Sequence, residues 1–307
     1  LKGLNAAHMI AEIAARIDMN TDLVTEDFGL SSAPPAVQQM CDLKTTYDVS
    51  LPSLAALCVN LLFLGGGQTT ERAIERLRTI CEEAVASVMM KYESACAFAM
   101  QRGLLPEAEK LRGTPRVLLL SELEAMAAAK NDDFPVWKTA QAQLLREKIE
   151  QGELTLQNAS IQYIQRVLEC SGEEEPMVVI GIAPPYYPAV CNAYLPADGS
   201  DIAEKVRAVV EGSYHMQLSV IPYFTGIGDG SYMTCTVPAQ ERALLTNLMS
   251  LPASIYDIPF ESAARLNAPV FYLGPRCRAI HQWCERVYLP DLVEIVPHII
   301  DHILGLR

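Results

Sequence analysis

The residues of this chain that could carry chemistry lie in two loops of its last third. In the first loop Asp229 stands between Gly228 and Gly230, and in the second His281 is followed four residues later by Glu285. A neutral imidazole is a good zinc ligand, and a nearby carboxylate can orient the ring or help to hold the groups around the metal. These residue types predict a metal site with His281 as a ligand and Asp229 or Glu285 in support.

Both loops come directly after segments with a strand pattern, which is a common place for a binding site. The sequence LSVIPYF at 218–224 leads to the first loop, and APVFYL at 268–273 leads to the second. Ligands of open α/β sheets bind in the crevice outside the carboxyl ends of the strands. We therefore predict that these two loops form the site.

Glycines mark both loops and permit tight backbone turns. In the first loop they surround Asp229, and in the second a Gly-Pro pair lets the chain leave its strand sharply toward His281. The glycines concerned are Gly226, Gly228, Gly230 and Gly274. Spacing alone also permits an interpretation without function, in which Asp229 is a turn residue and His281 is a surface or hydrogen-bonded histidine.

Other groups of residues could bind ligands, but each has a simpler explanation. The glycines at 65–67 precede a helix, yet no lysine follows at the spacing of a phosphate-binding loop, which favours a plain turn. The three glutamates at 173–175 are typical of a solvated turn rather than a metal site. His298 and His302 have the spacing of a helical metal pair, although an exposed polar stripe is the favoured explanation. The tyrosines at 186–187 could line a pocket or pack under a loop.

The remaining patterns predict an α/β protein in two parts. Apolar periodicity predicts a first helix capped by Asn5 and a long amphipathic helix that ends at Gly103. Short apolar runs bounded by turn residues predict strands. These runs are 54–64, 116–120 and 177–182. After a break near residue 198, helices and strands alternate, which is typical of a layer with at least partly parallel strands.

Length, charge and cysteine usage narrow the class of protein. The chain has 307 residues, half of them apolar, which is enough for two domains. Its formal net charge of -13 argues against nucleic acid and against anionic membrane surfaces as partners. The nine cysteines are scattered and form no CxxC pair, and no signal peptide or membrane anchor is recognisable. A reduced cytoplasmic protein is therefore expected.

Several motifs, taken in order along the chain, resemble one enzyme family. GIGDGSYM, then APVFYLGPRCRAIHQWCERV, then a closing helix resemble the C-terminal signature of the zinc-dependent aminoacylase, acetylornithine deacetylase and carboxypeptidase G metallopeptidases. GLNAAHMIAEIAARI, DLKTTYDVSLP, the apolar strand ending at Asn60, and VVIGIAPPYYP resemble the lid of the RocB (arginine utilisation) branch of that family. The resemblance covers nearly the whole chain.

The resemblance implies a fold, a chemistry and a set of site residues. Residues 1–198 would be an α/β lid that forms a homodimer, with a helical insertion at about 100–172, and residues 199–307 would be the C-terminal half of the catalytic domain. In the family, two zinc ions polarise an amide carbonyl and generate hydroxide to cleave a peptide-like or N-acyl amino acid bond. His281 would be the last metal ligand. Substrate-binding or supporting positions would be Asp229, Gly228, Gly230, Gly274, Glu285 and Asn60.

This chain also departs from the family pattern at several positions. The first catalytic half, with the other metal ligands and the general base, would precede Leu1, so we expect the isolated chain to be inactive and to bind zinc weakly. RocB-like chains usually carry Gly-Ile-Ser-Asp, Tyr-Asn-Val and Gly-Pro-Trp-Gly where this chain has Gly228, Asp48, Arg276 and Cys277. A two-metal site needs several ligands and a base, which one histidine does not supply.

Three hypotheses follow from the sequence. In the first, the chain is part of a metal-dependent amidohydrolase and works with the missing N-terminal catalytic half on a small substrate derived from an amino acid, with a link to arginine or amino-acid catabolism. In the second, it is a non-catalytic dimerisation or regulatory module. In the third, the motif match is accidental and the chain is an unrelated protein that binds a small molecule.

Overall fold

The chain forms two compact units. The larger comprises Leu1–Tyr186 and Val237–Ile258, and the smaller comprises Tyr187–Thr236 and Pro259–Arg307. The division into a lid and a catalytic part near residue 198 stays a prediction, because residues 197–198 lie outside the described ranges. The structure is a computed structural model that describes residues 3–45, 49–65, 69–104, 115–196, 199–224 and 228–306.

The larger unit combines short sheets with most of the helical residues. Its elements, in chain order, are α1 (Ala6–Ile17), β1 (Glu26–Asp27), β2 (Leu30–Ser31), β3 (Ala36–Asp42), β4 (Ala55–Asn60), α2 (Thr69–Gln101), β5 (Arg116–Leu119), α3 (Leu120–Lys130), α4 (Phe134–Glu150), α5 (Leu156–Ser171), β6 (Met177–Ile180) and α7 (Ala239–Leu248). The α/β class predicted from the sequence is confirmed.

The start of α1 and the end of α2 are where the sequence predicts. The Asn5 side chain accepts hydrogen bonds from the backbone N–H groups of Ala7 and His8, which caps α1. After α2, Gly103 has a φ of +66°, the left-handed conformation that ends many helices. Met9, Ile13 and Ile17 recur every four residues on α1, so they share one face and pack into a core cluster with buried residues of α2.

The ladders of the larger unit are two-stranded. β3 and β4 pair antiparallel with a bulge between Val37 and Gln39, and β5 and β6 pair parallel from Arg116↔Met177 to Leu119↔Ile180. The parallel pair requires a crossover, which α3, α4 and α5 provide. These helices lie within residues 100–172, and their role as a helical insertion in a lid stays a prediction. With Leu120, Leu123, Leu145 and Tyr163 they form a second core cluster.

The smaller unit contains α6 (Ser200–Arg207), α8 (Phe260–Leu266), β7 (Cys277–Arg278), β8 (Arg286–Val287) and α9 (Val296–Ile303). A π-helical segment continues α6 and another precedes α9. The sequence-based prediction of strands at 218–224 and 268–273 is wrong for the described residues, since neither segment belongs to a ladder. In the described part of this unit, β7 and β8 pair antiparallel for two residues each, and Cys191 and Tyr223 form an isolated bridge.

Two further predictions from composition can be checked. All nine cysteines are free thiols, as their scattered positions predict. None of the helices in the described ranges combines the length and the apolar character that a membrane crossing requires.

Candidate functional site

The first predicted loop of the site is a single helical turn in the smaller unit. Asp229–Tyr232 forms a 3₁₀ turn, in which Ser231 donates its backbone N–H to Gly228 O at 3.0 Å and Met233 donates to Gly230 O at 3.1 Å. The side chain of Asp229 and the whole of Gly226 lie outside the described residues. The backbone thus confirms a compact turn here, while the role of the Asp229 carboxylate stays a prediction.

The glycines beside Asp229 are required by a neighbour rather than by their dihedral angles. Gly228 has a φ of -160°, which any residue adopts. A Cβ atom on Gly228 would lie 2.5 Å from the hydroxyl oxygen of Tyr272, and one on Gly230 would lie 2.6 Å from Cγ1 of Val270. We predicted glycines for tight turning, and the structure instead shows close packing of the turn against the 268–273 segment.

The second predicted loop is the tip of a hairpin. β7 and β8 enclose residues 279–285, where the Gln282 N–H donates to Ala279 O and the Glu285 N–H donates to Gln282 O, both at 3.0 Å. His281 lies at the tip with a φ of +60° and is exposed. Left-handed backbone is uncommon for residues other than glycine, although histidine adopts it more often than most. Within the described residues its imidazole has no hydrogen-bond partner.

Glu285 holds the hairpin tip through the backbone and not through the imidazole. Its Oε2 accepts a hydrogen bond from the His281 N–H at 3.0 Å. The sequence suggested that this carboxylate orients the histidine ring, and the structure assigns it to the main chain of the same residue. Glu285 therefore stabilises the conformation that presents the His281 ring to solvent.

The base of the hairpin is fixed by an ion pair that the sequence did not reveal. Arg276 binds the buried carboxylate of Asp291 three times, through its backbone N–H at 2.8 Å, Nε at 2.7 Å and a terminal nitrogen at 2.9 Å. The guanidinium also lies over the ring of Tyr288, 4.6 Å from its centroid. These hydrogen bonds lower the pKa of Asp291, against the effect of burial, and raise the pKa of Arg276.

The other predicted site positions are spread over both units. In the smaller unit, Gly274 precedes the hairpin, and a Cβ there would meet no atom within 4 Å, so the position does not require glycine. Tyr187 packs against Tyr232 of the Asp229 turn, with ring centroids 5.5 Å apart. In the larger unit, Asn60 ends β4, pairs with Ala36 and has an exposed side chain.

The less favoured candidates are explained by structural contacts. His298 Nδ1 lies 3.0 Å from the Tyr214 hydroxyl, so the ring is part of the packing of α9 rather than of an exposed stripe. Glu173 is not a solvated turn residue, because it forms ion pairs with Arg116 and Lys130 and is largely buried. These ion pairs, chiefly the one with Lys130, lower the pKa of Glu173. Residues 66–68 of the glycine segment and Asp48 lie outside the described ranges.

The residues present do not by themselves fit a zinc site. Among the described residues, no three histidine, cysteine, aspartate or glutamate side chains come together as metal ligands. His281 offers one exposed imidazole, whereas catalytic zinc is held by three protein ligands and a two-metal centre needs more. Among the described residues, the hairpin therefore offers one exposed imidazole and no complete metal site.

The chain is similar over almost its whole length to two proteins of Bacillus subtilis (strain 168). It is 26% identical to the uncharacterized protein YqjN over 304 residues, which are 97% of this chain and 52% of YqjN. It is 23% identical to protein RocB over 314 aligned residues, which are 98% of this chain and 52% of RocB. The chain resembles RocB. It spans about half the length of these curated relatives.

The similarity agrees with the RocB branch suggested by the motifs, and it is distributed over both units. No family model matches the chain, and no solved structure matches it at a significant level. Neither relative's name specifies a metal or a reaction. The zinc chemistry of the wider family therefore enters only as a proposal.

Proposed function

We propose that this chain is part of a RocB-like, metal-dependent amidohydrolase that cleaves a peptide-like or N-acyl amino acid bond. The observation that carries the proposal is the similarity to RocB and YqjN over 97–98% of the chain, in both units. Residues 1–198, most of which lie in the larger unit, would act as the lid and dimerisation module, and residues 199–307 would act as part of the catalytic module. The isolated chain would be inactive.

His281 would be one of the zinc ligands in the complete enzyme. Its ring is exposed at the tip of a hairpin, and the backbone that presents it is held by Glu285 at the tip and by the Arg276–Asp291 ion pair at the base. A ligand on a fixed backbone loses little conformational entropy when the metal binds. When bound, zinc would polarise the scissile carbonyl and supply hydroxide, with the other ligands and the base contributed by further polypeptide.

Metal content and hydrolysis of the full natural gene product provide the test. We expect about two zinc ions per molecule and hydrolysis within a panel of N-acetyl amino acids and dipeptides, whereas the 307-residue chain alone shows neither. His281→Ala should lower activity by more than the roughly 10–100-fold that loss of a ligand-orienting group costs. His215→Ala is a matched control, since His215 is also exposed, in the same unit and left-handed, with a φ of +53°.

The outcome separates the proposal from its alternative. Zinc that is equally abundant in the His281→Ala variant would contradict the assigned ligand, and a gene product without zinc or hydrolysis would contradict the hydrolase.

A non-catalytic dimerisation or regulatory module is the second candidate function. It is favoured by the Arg276 side chain, which binds Asp291 at the position where RocB-like chains usually have the Gly-Pro-Trp-Gly loop. This candidate predicts a stable dimer of the chain and no turnover by the full gene product. Light scattering of the purified protein, together with the hydrolysis panel, distinguishes the two.

A further inference from the structure

Asn192 holds the 268–273 segment with both ends of its side-chain amide. Its Oδ1 accepts a hydrogen bond from the Val270 N–H, and its Nδ2 donates one to the Val270 C=O, each at 2.9 Å. An amide can bond the N–H and the C=O of one residue in only one orientation, so these two hydrogen bonds determine how the Asn192 side chain lies. A single side chain thus fixes the backbone of Val270.

The backbone that carries this side chain is itself firmly packed. Asn192–Tyr194 forms a 3₁₀ turn, in which the Tyr194 N–H donates to Cys191 O at 3.2 Å and the Leu195 N–H donates to Asn192 O at 2.9 Å. Cys191 and Leu195, on either side of this turn, are buried. A side chain on a fixed backbone loses less conformational freedom when it forms hydrogen bonds. Asn192 is therefore a rigid support.

The segment that Asn192 holds forms a wall behind the Asp229 turn. A Cβ atom on Gly230 would lie 2.6 Å from Cγ1 of Val270 and 2.4 Å from the hydroxyl oxygen of Tyr272, and one on Gly228 would meet the same hydroxyl. These distances are shorter than any real contact of a Cβ atom. The turn therefore lies directly against the side chains of Val270 and Tyr272.

The end of the turn is tied to the same segment by hydrogen bonds. The Ala268 N–H donates to Met233 O at 3.1 Å, and the hydroxyl of the fully buried Thr234 donates to Asn267 Oδ1 at 3.2 Å. Closely packed groups transmit displacements to one another. A shift of the 267–272 segment would therefore move the turn as well.

We propose that Asn192 is a positioning residue, which holds Val270 and Tyr272 where they set the Asp229 turn for substrate binding. The inference rests on the proposed function in one respect, namely that this turn binds substrate. Asn192 itself touches no substrate and acts through the backbone of Val270. Displacement of a group that binds the substrate weakens binding more than it slows the chemical step, so KM changes more than kcat.

Kinetics of the full natural gene product test the proposal, with Asn192→Asp as the variant. Aspartate has nearly the same size and can still accept from the Val270 N–H, but it has no N–H for the Val270 C=O and places a negative charge beside it. We expect KM to rise at least about tenfold for the N-acetyl amino acid or dipeptide that the unmodified product hydrolyses, with a smaller change in kcat. Asn247→Asp makes the same chemical change at an exposed position of α7 and should leave KM unchanged.

A second measurement on the same proteins needs no substrate. The N–H groups of Ser231 and Met233 are hydrogen-bonded within the turn, so their hydrogen exchange reports its order. Mass spectrometry should show exchange at least about tenfold faster in Asn192→Asp than in Asn247→Asp. Peptides from α6 should exchange equally in both variants, which excludes general unfolding of the smaller unit.

The two measurements separate the possible outcomes. Unchanged exchange in the turn would overturn the proposal, whatever the activity. Faster exchange with an unchanged KM would also overturn it, because Asn192 would then stabilise the turn without positioning it for substrate. A gene product that hydrolyses nothing would contradict the proposed function and the role in substrate binding, while the exchange result would still decide whether Asn192 holds the turn.

Discussion

The two units differ in how completely they bury their own apolar residues. The larger unit has two core clusters, in which side chains such as Leu123 and Leu145 are entirely buried. The core cluster of the smaller unit consists of five valine and isoleucine residues from α6, α9 and the π-helical segments. Its hairpin carries Trp283, which is 98% exposed. The contrast indicates that the larger unit packs its apolar residues into closed cores, whereas the smaller unit leaves more of its large apolar side chains exposed.

Truncation of a core leucine in the larger unit should have the largest effect. Leu145→Ala is expected to cost about 2–5 kcal/mol of unfolding free energy, because it leaves a cavity in a closed core. Its neighbour Leu144 is on the exposed side of α4, so Leu144→Ala should cost less than about 1 kcal/mol. Urea denaturation followed by circular dichroism measures both. Equal losses would show that the larger unit is not closely packed.

The turn beside Asp229 should tolerate a methyl group poorly. Gly228→Ala is expected to destabilise the smaller unit by about 1–3 kcal/mol, because the new Cβ would overlap the Tyr272 hydroxyl. Gly274→Ala is the matched control and should be neutral, since nothing lies within 4 Å of that position. Thermal unfolding measures the two variants. If Tyr272→Ala did not relieve the effect of Gly228→Ala, the close approach would not be its cause.

The ion pair at the hairpin base should control local order. Asp291→Ala is expected to accelerate tryptic cleavage at Arg278 several-fold, whereas Glu294→Ala, an exposed acidic residue in the same helical segment, should not. The pKa of Asp291 is lowered in the folded protein. The contribution of Asp291 to stability is therefore present above its unfolded pKa, near 3.8, and is lost as the pH falls through the lower folded value. Cleavage by an acid-stable protease should therefore increase only in strong acid.

The smallest effect is expected from a partly exposed network in the larger unit. Lys91 Nζ lies 2.7 Å from Glu12 Oε2, and Arg16 and Ser87 also bond this carboxylate, which lowers the pKa of Glu12 to about 2. The contribution of Glu12 to the free energy of unfolding is therefore present above pH 4.5 and is lost between about pH 4.5 and 2. Salt screens such exposed pairs. An NMR titration of Glu12 with a midpoint near 4.5 would contradict this network.

Local signals in the sequence predicted the larger unit better than the smaller one. The Asn5 cap, the Gly103 helix end and the apolar runs of β4, β5 and β6 depend on neighbouring residues, and the structure confirms them. Strand pairing depends on residues far apart or on another chain, so the pattern at 268–273 predicted a strand without indicating that its partner is lacking among the described residues.

The candidate site stays a prediction, and sequence reasoning missed the contacts that fix its two loops. The glycines and His281 mark the two loops by residue type alone. The contacts that fix these loops have no periodic or motif signal, since Arg276 reaches Asp291 over 15 residues and Asn192 reaches Val270 over 78. The close approach of Tyr272 to Gly228 likewise depends on tertiary packing.

Amide hydrogen exchange of the 307-residue chain tests the contrast between the two units most directly. Residues 219–221 and 271–273 should exchange almost as fast as an unfolded peptide, while the amides of the β5–β6 ladder stay protected. Protection of these segments comparable to that of the β5–β6 ladder would contradict the claim that the smaller unit leaves them exposed.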